Sequence, residues 1–165
     1  MHSSDGEVLP DLHRRRASAL YGLIIGGAVL ATSGVEERLG FIALSLVITL
    51  AVYWVAETYV HVMAERGVER HELSRATALT IAKDGLPLIS VSAVPLVILL
   101  VGALAGLTTV RAADLALYAN TIVLLVAGYR ISRDAGLVGV RLAVSVTISG
   151  LLGLAMVGLK IALNH

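Results

Sequence analysis

Apolar residues in this chain come in long blocks separated by short charged stretches, without the strict alternation that marks the strands of an outer-membrane barrel. Charged side chains delimit five uncharged runs: Ala17 to Val35 (19 residues), Leu39 to Ala56 (18), Gly85 to Val110 (26), Leu115 to Tyr129 (15) and Leu142 to Leu159 (18). A membrane-crossing helix needs about 20 mainly apolar residues, because the hydrocarbon layer is about 30 Å thick and a helix rises about 1.5 Å per residue. Four runs meet that length. The fourth reaches it by taking in Asp114 and letting Tyr129 and Arg130 extend into the interface. Helix is the conformation that satisfies every backbone N–H and C=O inside one segment in lipid. The pattern therefore predicts an all-α, polytopic transmembrane helix bundle, a single domain over 1–165. Its spans are expected at about 17–35, 39–62, 86–108, 112–130 and 141–162, with an inner helical connection over about 63–85.

The connections carry their own signals. Met1 to His13 is polar and contains Pro10, and reads as a short mobile arm. Gly34 to Gly40 forms a tight hairpin, while Thr108 to Ala113 and Ile131 to Val140 join the later spans, with Gly136 and Gly139 as helix breakers. In the long inner connection, Glu65, Arg66, Glu69 and Arg70 suit a solvated extension of the second helix. Ser74 can cap a second short segment, Arg75 to Asp84, before Gly85 and Pro87 open the third span. Arg14 to Arg16, an apolar stretch and Ala31-Thr32-Ser33 also have the order of a signal peptide. That apolar stretch is long for a signal, so an uncleaved first helix is preferred. No internal repeat is found, which argues against an inverted-repeat transporter in one chain.

Composition agrees. Of 165 residues, 57% are hydrophobic and 15% charged, against about 25% charged in soluble domains. A net charge of +1 gives no field that would recruit nucleic acid. The absence of cysteine excludes disulfides, thiolate metal sites and a cysteine nucleophile. Orientation follows from the basic residues. With the N-terminus inside, ten lie in inner segments (Arg14, Arg15, Arg16, Arg66, Arg70, Arg75, Lys83, Arg130, Arg133, Arg141) and three lie outside (Arg38, Arg111, Lys160). The expected protein sits in a plasma or inner membrane with its C-terminus out, its partners being the lipid bilayer and copies of itself or other membrane proteins.

Candidate chemistry concentrates at the inner end of the second span. Glu57, His61 and Glu65 are spaced four apart and form one polar stripe, since each step drifts only about 40° around a helix. A carboxylate and an imidazole at that spacing can share a divalent cation or exchange a proton, and ionisable groups inside a span usually face a bundle interior. The plainer reading puts Glu57 at the edge of the hydrocarbon, with His61 and Glu65 in water. Helix four offers Asp114, Tyr118, Asn120 and Thr121, read as an interfacial Asp114 paired with Arg111 and an Asn120 that bridges helices. Gly22 with Gly26, Gly102 with Gly106, and Ser149 with Gly153 are four apart and mark close helix packing. Pro95 frees one carbonyl in helix three and predicts a kink. A bis-histidine haem, a zinc-protease helix, a G-x-S-x-G elbow and a phosphate-binding loop all lack their residues, so an enzyme is not expected.

Five spans, an inner N-terminus and a Glu-rich extension after span two resemble the layout of the vacuolar iron transporter family. Ala56-Glu57-Thr58-Tyr59 lies where that family carries a Gly-Glu-Tyr segment. The resemblance implies a metal-handling role for Glu57. It departs in span one, where Ala19-Leu20-Tyr21-Gly22-Leu23 contains none of the acid the family uses there, and in the shorter linker. The leading expectation is a small membrane protein that binds or moves a cation, a divalent metal or a proton, as a homo-oligomer, with Glu57, His61 and Glu65 as ligands. The first rival is a non-transporting assembly subunit, and the second is a membrane sensor built on the His61 to Glu72 segment.

Overall fold

The computed structural model describes residues 5–34, 38–68, 79–80, 82–83 and 85–163; the side chains of 5–14, 65–68 and 86–89 fall outside that description. It is all-helical, with α1 at Asp5–Thr32, α2 at Leu39–Val68, α3 at Leu86–Leu104, α4 at Thr109–Asp134 and α5 at Gly139–Leu163. The proposed segment capped by Ser74 lies mostly outside the described residues. The first helix begins earlier than the sequence suggests, since the arm expected up to His13 continues the helix back to Asp5 through Pro10.

Among the described residues, three helices are long and apolar enough to cross a membrane: Leu39–Ala64 within α2, α4, and α5. In α3 the apolar part, Ser90–Leu104, is shorter. Large apolar side chains such as Phe41, Val52, Val97, Ile148 and Leu154 face outward. Water would penalise such a surface heavily, whereas lipid matches it.

Two links are built alike. Helix α3 ends in Ala105-Gly106-Leu107 and α4 in Ala135-Gly136-Leu137. In each, the leucine N–H reaches back to a carbonyl of the last turn, Leu107 to Gly102 at 2.9 Å and Leu137 to Ser132 at 3.0 Å. Gly106 (φ 70°) and Gly136 (φ 75°) supply the left-handed residue that this stop requires. The link between α3 and α4 is therefore Ala105 to Thr108, four residues earlier in its centre than the sequence suggests. Gly106 belongs to that turn, with open space around it, and not to a packing face. Gly102 does pack: a Cβ there would stand 2.8 Å from the Cβ of Ala112 on α4.

Helix α1 is the axis of the bundle. It touches every other helix, and α2, α3, α4 and α5 follow one another in an arc around it. Among the described residues α5 meets neither α2 nor α3, so the arc is open between α2 and α5. The central position follows from composition, since Ser18, Gly22, Gly26 and Gly27 give α1 a small-residue face that neighbouring backbones can approach. Leu23, Leu30, Leu46, Leu99 and Leu117 are buried between the helices and form much of the core.

Candidate functional site

Buried polar side chains meet α1 at three levels. At the first, Ser18 is fully buried and its hydroxyl donates to Oε1 of Glu57 on α2. Oε2 of Glu57 is also buried, but it has no hydrogen-bond partner, and the same holds for Oγ1 of the adjacent Thr58. One turn earlier on α2, Tyr53 packs against Tyr21 of α1 with ring centroids 6.0 Å apart. The seam between α1 and α2 thus carries a serine–carboxylate contact and, one turn away, a tyrosine pair. Arg16 and Asp134 close the same end of the bundle with an ion pair at 2.7 Å, on a largely solvated surface. Trp54 Nε1 donates to the Ala82 carbonyl at 3.0 Å, and Gly85 is buried against the same indole, which fixes the approach to α3.

Of the three residues read as a metal stripe, Glu57 is turned into the bundle. His61 is not brought to its carboxylate: ring nitrogen Nδ1 lies 2.8 Å from the Glu57 backbone carbonyl. A carbonyl can only accept, so Nδ1 carries the hydrogen and Nε2 is the basic nitrogen. The side chain of Glu65 lies outside the described residues. Among the described residues no group of three or more His, Asp or Glu converges as a metal site.

At the second level Asn120 of α4 is fully buried and donates from Nδ2 to the Leu23 carbonyl at 2.8 Å, the helix-bridging role its sequence position suggests. Its Oδ1 is buried without a partner. Ser92 of α3 donates to the Gly22 carbonyl at 3.3 Å. At the third level Lys160, only 6% exposed, reaches from α5 to the end of α1. Its ammonium donates to the Leu30 carbonyl at 3.0 Å and to Ser33 Oγ at 3.1 Å. Asp114 Oδ1 stands 3.9 Å away, so that carboxylate faces Lys160 and not the Arg111 that helix spacing suggested. The last turn of a helix has unpaired carbonyls and a negative dipole end, and an ammonium satisfies both.

Sequence reading missed Ser18 and Lys160. Ser18 lies four residues before Gly22 and eight before Gly26, which extends the small-residue face and was the available signal. Lys160 looked like a residue leaving the membrane; only the end of α1 beside it explains its burial.

The fold and its polar interior define a transmembrane helical protein. Compared with family models, curated proteins and solved structures, the chain matches none of them.

Proposed function

We propose that this is a five-span membrane protein, N-terminus inside, that binds a cation at Glu57 and passes it across the bilayer as a homo-oligomer. The observation that carries this reading is the half-satisfied carboxylate: Oε1 is held by Ser18, while Oε2 is buried with no donor. An unpaired buried acceptor costs about 1–3 kcal/mol, and more when it is charged. A cation drawn to Oε2, a proton included, removes that cost, so the site is poised to take one. Five spans are supported by α1 and α3 packing side by side with the three long apolar helices. The inner N-terminus rests on the ten-to-three distribution of basic residues. An oligomer is favoured because five helices in a 165-residue chain give little scope for lining a pore alone. For a divalent metal, Nε2 of His61 is the second ligand, after a rotation that brings it toward Oε2, and Glu65 lies further along the same stripe. The vacuolar iron transporter layout agrees with a cation at Glu57 and adds nothing finer.

Calorimetry and liposome flux with Fe²⁺, Mn²⁺, Zn²⁺ and protons test the reading. Glu57→Gln abolishes binding and flux, His61→Ala weakens metal binding, and Asp134→Asn, on the exposed ion pair, leaves both unchanged. Protons compete with metal for imidazole and carboxylate, so metal binding weakens as pH falls. Wild-type protein that takes no metal and passes no ion overturns it. Orientation is tested separately with an impermeant thiol reagent on intact cells: Ala105→Cys is labelled and Ala135→Cys is spared, both positions being exposed.

A second reading, a non-transporting assembly subunit, draws support from a different observation. Every neighbour of α1 is tied to it by a buried polar contact: α2 through Glu57, α3 through Ser92, α4 through Asn120 and α5 through Lys160. Such contacts orient helices whether or not an ion moves.

A further inference from the structure

Helix α4 turns two different faces to its surroundings. Its packed face is closed by Ala116, Asn120, Leu124 and Gly128, all buried. Its outward face carries Leu115, Tyr118, Ile122, Val126 and Tyr129, each between 46% and 60% exposed. Steps of three and four residues set these five in one lane along the helix. The lane continues into Arg130 and Arg133, both exposed. Neither guanidinium is engaged within the bundle. Asp134, the carboxylate at that end of α4, is taken by Arg16 at 2.7 Å. The last carbonyls of a helix are often served by cationic side chains, but here main-chain donors meet them. Ala135 N–H donates to Ile131 at 3.0 Å, Gly136 N–H to Arg133 at 2.9 Å and Leu137 N–H to Ser132 at 3.0 Å. Among the described residues, then, the apolar lane ends in two positive charges one turn apart that have no ion-pair partner.

Helix α4 is long and apolar enough to cross a membrane, so its outward lane meets acyl chains and its last turn meets headgroups. We propose that Arg130 and Arg133 hold the phosphate of one anionic glycerophospholipid, whose acyl chain lies along Val126 and Ile122. A guanidinium binds phosphate through paired N–H donors, and Tyr129 stands at the depth that amphipathic rings favour. The lengths agree. Half of the hydrocarbon layer is about 15 Å. Ile122 is eight residues before Arg130, about 12 Å along the helix, so one chain covers both apolar side chains before the midplane. The headgroup must lack a cation of its own. Choline or ethanolamine would bring a positive charge beside two guanidiniums, whereas glycerol leaves the phosphate charge uncompensated. The proposal requires α4 to span a bilayer, and it requires nothing of Glu57 or of ion movement.

Native mass spectrometry and thermal unfolding in a neutral detergent test it, with three compounds added in turn: dioleoylphosphatidylglycerol, dioleoylphosphatidylcholine and water-soluble glycerophosphoglycerol. The first is retained, one copy per chain, and raises Tm; the other two do neither. Arg130→Gln and Arg133→Gln each weaken retention by about fivefold, the effect of one surface cation on an anionic lipid. Arg111→Gln, at the other end of the same helix, leaves retention unchanged. All three side chains are exposed, so the fold does not depend on them. Phosphatidylcholine held as tightly as phosphatidylglycerol overturns the proposal, because charge then plays no part. Unaltered retention in a variant carrying both Arg130→Gln and Arg133→Gln overturns it as well. Glycerophosphoglycerol bound as tightly as the lipid shows a phosphate site without an acyl lane and overturns it equally.

Discussion

Lys160 and Glu57 are both ionisable side chains drawn into the bundle beside α1, near opposite ends of it, and their surroundings differ. Lys160 donates to the Leu30 carbonyl and to both oxygens of Ser33, with Asp114 completing its electrostatic balance. Glu57 has one hydroxyl donor for two buried carboxylate oxygens. A charge whose partners are all supplied by the protein holds helices together. A charge left with spare capacity is where something exchangeable fits. Burial alone does not separate these cases; counting the partners does.

The largest effect that would sharpen the contrast is Lys160→Met. It keeps the length of the stem but strips the last turn of α1 of its donor, and should cost about 2–3 kcal/mol, as for a hydrogen-bonded charge removed from a buried site. Thermal unfolding in detergent measures it, and an unchanged Tm would break the structural assignment of that end. Gly27→Ala comes next. Its Cβ would overlap Met156 Sδ and stand 2.7 Å from Asn120 Nδ2. Met156 can swing aside but Asn120 is held, so a loss of about 1–2 kcal/mol is expected in the same assay. Asn120→Ala removes one interhelical hydrogen bond and should cost about 0.6–1.7 kcal/mol, the range found for such bonds between membrane helices. Smallest in stability is Glu57→Gln. Glutamine still accepts from Ser18 and exchanges one unpaired buried polar atom for another, so Tm should shift less than in the other three variants, while cation binding is lost. A Tm drop as large as that of Lys160→Met would place Glu57 in the same structural class as Lys160 and favour the assembly reading.

The comparison also separates what length and composition decide from what neighbours decide. Long apolar runs specify helices, because a helix satisfies its own backbone and needs no partner to do so. The three long apolar helices, Asn120 as a bridge and Gly136 as a stop were accordingly legible in single segments of sequence. Boundaries were less so: the pattern gave Gly106 to a packing face, when Gly102 and Gly106 sit on either side of a helix end that only the backbone reveals.

What tertiary structure alone decided is which polar groups meet. Glu57, His61 and Glu65 share a helical stripe by spacing, yet the imidazole turns to its own backbone because the Glu57 carbonyl is within reach, and the carboxylate turns to a serine 39 positions away. Asp114 has a basic residue one turn before it and faces a lysine from another helix instead. The order of helices around α1 has the same status, since it depends on which small residues let which backbones approach. Helix spacing constrains contacts within one segment; contacts between segments are set by packing, which the one-dimensional pattern does not contain.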